Sequence, residues 1–157
     1  MTRLRGRAPR GRRLLAKAPH GHWRTTTMIS SVRLDGSTAC MTIEGATDTA
    51  VFQAYVREIL CPSLRPGDIV IMDNLSPHKN EQTGALIAAA GATVRFLPAY
   101  SPDLNPIEMM WSKVKALLRA AEARSPEQLQ QAIAAALQRV SAQDAAHWFA
   151  ACGYSII

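Results

Sequence analysis

The chain has 157 residues, 48% of them hydrophobic, with a formal net charge of +6 and a pI near 9.7. That length fits one domain of ordinary size with a proper core, and the charge favours a polyanionic partner. Cys40, Cys61 and Cys152 are odd in number and form no C-x-x-C pair, so neither a disulfide framework nor a structural zinc site is suggested, and reduced thiols fit best. The apolar runs are too short or too broken to span a bilayer, and no apolar stretch follows the basic start as a signal peptide requires.

Charge is concentrated at the start. Nine of the 18 Lys and Arg residues lie in the first 34 positions, where there is no acidic residue. Such a run is either a solvated basic tail or an arm that contacts phosphates, with Arg12 and Arg13 among its candidates for DNA contact. Residues 1–24 are therefore read as a basic segment and 25–157 as one domain. From Trp23 to Val32 β-formers dominate, and Asp35-Gly36 is a turn signal before a second strand over Thr38–Glu44, which predicts a hairpin. Over 48–60 the period changes: Val51, Phe52, Tyr55, Val56, Ile59 and Leu60 recur at helical spacing until Pro62.

Asp68 and Asp73 bound the apolar run Ile69-Val70-Ile71-Met72, which reads as a strand inside a sheet, flanked on both sides and buried on both faces. An Ala-rich helix over 79–90 closes at Gly91, and 93–97 is a further strand. Asn105-Pro106 opens a long helix to about residue 123, with Asn as N-cap and Pro at the first helical position. Ser125-Pro126 opens the next, with Gln128 completing a capping box, and Ser141 caps a last short helix. The order of elements predicts an α/β domain.

Two carboxylates stand out. Asp73 ends the buried strand, where open α/β sheets collect their ligands, although a turn or cap role suits it as well. Glu108 sits three residues after Asn105, the position from which a Glu reaches back to cap the helix. It also shares a helix face with Lys115 and Arg119, opposite the stripe of Ile107, Met110, Val114, Leu117, Leu118 and Ala121, an arrangement for meeting a metal and a phosphate together. Two carboxylates on different elements suit Mg²⁺ or Mn²⁺. His78 and Lys79 follow Asp73 closely enough to share its cleft, or simply begin a helix in solvent.

Together these stretches carry a resemblance. Ile69-Val70-Ile71-Met72-Asp73-Asn74-Leu75-Ser76-Pro77-His78-Lys79 resembles the second-aspartate block of DDE-type transposases in the insertion-sequence and mariner-related superfamily. Leu97-Pro98-Ala99-Tyr100-Ser101-Pro102-Asp103-Leu104-Asn105-Pro106-Ile107-Glu108 resembles the block that ends in the catalytic Glu, and the 34 residues between Asp73 and Glu108 match the separation usual in that group. Arg5-Gly6-Arg7-Ala8-Pro9-Arg10-Gly11 is similar to the segment after the first catalytic strand.

The resemblance implies a ribonuclease-H-like mixed sheet with flanking helices and a DNA endonuclease that cuts and joins transposon ends to target DNA. Asp73 and Glu108 would be catalytic Mg²⁺ or Mn²⁺ ligands, and His78, Lys79, Lys115, Arg119, Arg12 and Arg13 candidates for DNA contact. It implies work in the cytoplasm of a bacterial cell, near the nucleoid and away from membranes. The family's first Asp and its helix-turn-helix reader have no counterpart here, since Asp35 falls in a turn and Asp48 at a helix start. The expectation is thus a sheet lacking its first strand, inactive alone: a truncated remnant, or a second reading frame joined to an upstream product. The chain would act with that product or as a homodimer. The rival expectations are a non-catalytic regulator that binds DNA or transposase, and an inert remnant.

Overall fold

A computed structural model describes residues 6–15 and 24–155. The basic residues at 3, 5 and 17 and the expected strand start at 23 lie outside the described residues, whereas 6–15 are exposed throughout, with a turn closed by the Arg12 N–H and the Pro9 carbonyl at 3.0 Å.

Strands β1 (Thr26–Val32) and β2 (Thr38–Glu44) form the predicted antiparallel hairpin. Its turn is fixed by Asp35, whose carboxylate accepts from the Ser37 N–H and hydroxyl, and by Gly36 at φ +83°. A side chain at Gly36 would collide with the Ser141 and Ala142 backbone, so glycine is needed there twice over.

The single helix expected over 48–60 is segmented. Asp48 caps α1 (Thr49–Tyr55) by accepting from the Val51 N–H, a π-helical turn follows over Val56–Leu60, and a 3₁₀ turn over Cys61–Ser63 ends it. Pro62 has no N–H to continue the ladder, which accounts for the stop. Phe52, Tyr55, Val56 and Leu60 nevertheless face one way, into a core shared with Met72 and Ile87. The Tyr55 hydroxyl reaches the Ala39 carbonyl at 3.0 Å, and burial pushes its pKa up to about 12.

β3 (Ile69–Met72) and β4 (Thr93–Phe96) pair in parallel, and α2 (Glu81–Ala89), capped by Asn80, crosses between them. Here the reading from sequence needs correction. β3 has one partner strand rather than two among the described residues, and Ile69 is 60% exposed. The expected mixed sheet is accordingly seen as two two-stranded sheets, β1-β2 and β3-β4, with no ladder between them.

α3 (Pro106–Ala121), α4 (Pro126–Gln138) and α5 (Ala142–Ala151) build a second core of Met110, Val114, Leu118, Ile133, Ala136 and Val140. The Lys113 ammonium ties α3 to α5 through Asp144 and the Arg139 carbonyl. Ser141 and Asp144 form a full capping box for α5. The box expected at α4 is half made: the Ser125 hydroxyl takes the Gln128 N–H, but the Gln128 side chain accepts from Arg124 N–H instead.

The hairpin sits between the two cores. Alternate β1 side chains point to opposite faces, so Ile29 packs on the α1 core while Met28 and Val32 pack on the α3–α4 core. The result is an α/β arrangement with helices on both sides of the strands. No helix among the described residues is long and apolar enough to cross a membrane, and the three cysteines are free.

Candidate active site

β3 delivers Asp73 at its carboxyl end. The next residues turn sharply. Asp73 Oδ1 accepts from the Leu75 N–H at 3.2 Å, and the Asn74 amide donates to the Leu97 carbonyl, tying the ends of β3 and β4 together. A 3₁₀ turn over Ser76–Lys79 then brings His78 back under Asp73. His78 Nδ1 lies 2.6 Å from Asp73 Oδ1 and its ring packs on Phe52 at a centroid distance of 4.3 Å. That short contact departs from hydrogen-bond alignment, and Nδ1 is buried with no other polar partner in the described structure.

Glu108 stands in the first turn of α3. The capping alternative is not what the structure shows. The Asn105 N–H that a capping Glu would take donates instead to the Pro102 carbonyl at 3.0 Å. Asn105 holds the N-cap position, but its side chain makes no capping bond. The Glu108 side chain is exposed and open to a ligand. The stripe read from sequence explains its direction: Met110, Val114 and Leu118 are buried, which turns Glu108 outward.

Asp73 and Glu108 line the same two cavities. The larger, about 700 Å³, lies between β1 and β3 and also takes in His78. The smaller, about 450 Å³, is walled by the loop after β4 and includes Lys79. Asp73, His78, Lys79 and Glu108 are thus brought to one place. Lys115 and Arg119 are not in either lining; at 1.5 Å rise per residue they lie roughly 10 and 16 Å further along α3. Lys115 is exposed and Arg119 half-buried, while Arg12 and Arg13 sit exposed on the basic arm.

The oxygen-only pair of Asp73 and Glu108 is the donor set that hard divalent ions take, with water completing the shell. Among the described residues no group of three or more His, Cys, Asp or Glu is placed to hold a metal. Asp68, the other carboxylate in the larger cavity's lining, is engaged with Arg33.

Sequence reasoning overlooked Tyr100, which lines the smaller cavity, is fully exposed and has φ +56°. Its signal was available, since a large aromatic between two prolines in a loop beside a candidate site seldom serves a core. The Asn74 tie and the placing of His78 against Phe52 were missed because both depend on partners distant in sequence.

A strand-end carboxylate, Asp73, and a helix-start carboxylate, Glu108, thus line a common cleft together with Lys79. The family model for DDE superfamily endonuclease matches residues 1–130, and the chain belongs to that family. No curated protein matches it. Membership implies DNA as substrate and a general use of divalent metal ions.

Proposed function

We propose that this chain is part of a DNA transposase, a ribonuclease-H-like domain over 25–157 preceded by a basic segment over 1–24, in which Asp73 and Glu108 hold Mg²⁺ or Mn²⁺. The observation that carries the reading is that both carboxylates, one from the end of β3 and one from the start of α3, line the same cleft. When bound, such ions activate an attacking oxygen and stabilise the leaving oxygen of a phosphodiester, in hydrolysis and in strand transfer. The chain's own contribution is to fix Asp73 through the Asn74 tie and the Leu75 N–H, and to leave Glu108 unspent on capping. Lys79, in the same lining, is a proposed phosphate contact. His78, Lys115, Arg119, Arg12 and Arg13 complete the proposed DNA contacts, and transposon ends and target DNA are the proposed partners.

Among the described residues no third metal-ligating side chain joins Asp73 and Glu108, which favours a chain that binds DNA without cutting it by itself. Two carboxylates anchor one weakly held ion, whereas clamping both the attacking and the leaving oxygen needs two. The test pairs calorimetry with nicking. The expected result is one weak Mn²⁺ site, lost in Asp73→Ala and in Glu108→Ala, with retarded migration of duplex DNA and no nicking of supercoiled plasmid. Metal-dependent nicking by the chain itself, abolished by Asp73→Ala, would show that two carboxylates suffice. Mn²⁺ binding unchanged in both variants would remove the site.

A further inference from the structure

Tyr100 is an aromatic residue that does nothing for the fold. Its side chain is fully exposed, at 102%. Its backbone stands at φ +56°, in the left-handed region that a residue with a Cβ enters only at a cost. An aromatic stabilises a fold through the area it takes out of water, and Tyr100 takes out none. Glycine would hold the same backbone without strain. A strained and unburied ring beside a candidate site therefore points to a ligand outside the chain.

The loop that carries the ring is pinned on both sides. Before it, the Asn74 amide donates to the Leu97 carbonyl. After it, the Leu104 N–H donates to the Ser101 carbonyl at 3.2 Å and the Asn105 N–H to the Pro102 carbonyl at 3.0 Å. The Tyr154 hydroxyl, just past α5, donates to the Leu104 carbonyl at 2.9 Å. Pro98 and Pro102 restrict the backbone between these ties. The ring thus stands on a fixed support, and little backbone order remains to be lost when a ligand meets it.

The surroundings indicate the class of ligand. The cavity of about 450 Å³ that Tyr100 lines also takes in Lys79, Asp73 and Glu108. Leu75, 58% exposed, gives that cavity a second open apolar side chain. A protein partner anchored on an aromatic excludes water from the groups around it. Here those groups include an ammonium and two carboxylates, which need water or counter-charges. A nucleotide suits them better, since its base has a flat face for the ring and its phosphate carries the charge that Lys79 attracts. In a paired duplex both faces of each base are covered by the neighbouring bases, so only a base out of the stack can lie on Tyr100.

We propose, on the reading of this cleft as a DNA site, that Tyr100 is a stacking platform for one unpaired nucleobase next to the phosphate that Lys79 meets. Stacking uses only the π-face, so any of the four bases is accepted. The base comes from a strand already open or is drawn out of the duplex. Tyr100 thereby favours DNA with an unpaired nucleotide over continuous duplex at this cleft.

The probes are two labelled duplexes of one sequence, each with a single extra nucleotide bulged from one strand. In one the extra nucleotide carries its base, and in the other it is abasic. Both hold the same phosphates, so the basic arm, Lys79 and the two carboxylates act on them alike and cancel in the ratio of affinities. Anisotropy titrations use the full chain in a chelating buffer, where no cutting occurs. The expected ratio favours the base-bearing bulge by about 5-fold to 150-fold, the range of one base stacked on one aromatic. Tyr100→Ala should bring the ratio to one, and Tyr100→Phe should keep it, because the ring and not the hydroxyl is used. Tyr100→Gly should also bring it to one while melting no lower than the unaltered chain, since glycine accepts φ +56°. A ratio of one in the unaltered chain, or a preference that survives Tyr100→Ala, would overturn the proposal and leave the DNA site standing. A preference lost in Tyr100→Phe would overturn it as well, and so would a lower melting point in Tyr100→Gly, which would show that the ring holds its own loop. Failure to bind either duplex would remove the DNA reading of the cleft and the platform with it.

Discussion

The Arg33–Asp68 pair bridges the two sheets, and its removal gives a quantitative test of how they are held together. The guanidinium meets the carboxylate twice, at 2.6 and 3.0 Å, and the Arg65 N–H adds a third bond at 2.8 Å. These bonds hold the Asp68 pKa at about 2. Against an unfolded value of about 3.9, the gap corresponds to a ceiling of about 2.5 kcal/mol. Both side chains are about a quarter exposed (24% and 23%), so solvent screening trims this to about 1–2 kcal/mol. Because the folded pKa is lowered, that stability is fully present above about pH 4 and is lost as pH falls through about 2. Asp68→Asn should therefore lower stability at neutral pH by about 1–2 kcal/mol, or roughly 2–8 °C in Tm, and the deficit should vanish near pH 2. Urea titrations followed by circular dichroism, from neutral pH down to about pH 2, measure both ends. Asp144, held at about 2 by Lys113 and Ser141, titrates in the same window in both proteins and cancels in the difference. A deficit that is the same at every pH would refute the electrostatic account and leave only lost packing. A deficit under about 0.3 kcal/mol would place the pair among surface ion pairs of no consequence.

Two further outcomes are expected. Removing residues 1–17 should flatten the dependence of DNA affinity on salt, because fewer counterions are released when fewer Arg and Lys meet phosphates; a filter-binding series giving an unchanged slope would place the contacts on the folded domain. Met110→Ala, at the centre of the second core and fully buried, should cost about 2–5 kcal/mol, and a melting curve with an unmoved midpoint would show that α3 is not held by that core.

Much of the fold was legible because it is local. Asp35-Gly36 specifies a turn whatever surrounds it, Pro106 starts a helix because it lacks an N–H that is not needed there, and the spacing of Met110, Val114 and Leu118 sets the outward direction of Glu108. What failed were readings that depend on distant partners. Four apolar residues in a row suggested a strand with neighbours on both sides, yet nothing in Ile69 to Met72 says which strands those are. Periodicity over 48–60 placed the buried face correctly but cannot tell an α-helical turn from the π-helical one that follows it. Gln128 was equally able to cap Ser125 or to take the Arg124 N–H one residue earlier, and composition does not choose between them. The capping role open to Glu108 was excluded by a backbone bond from Asn105 to Pro102, which only coordinates reveal.

The two candidate site carboxylates ride on elements held by different cores. Asp73 belongs to β3, whose inner face, through Val70 and Met72, packs with Ile87 and the α1 core. Glu108 belongs to α3, held by the core it shares with α4. The hairpin touches both, through Ile29 on one face and Met28 and Val32 on the other, but no ladder fixes β3 to it. The relative position of the carboxylates therefore rests on side-chain packing and on Arg33–Asp68, which sits at the opposite end of β3 from Asp73. Side-chain packing tolerates shifts that a ladder of main-chain hydrogen bonds does not. Metal ligation demands placement to within about half an ångström. The separation of Asp73 and Glu108 therefore depends on how Ile29, Met28 and Val32 pack, so the metal affinity proposed for the pair should respond to substitutions at those three positions, far from either carboxylate in sequence.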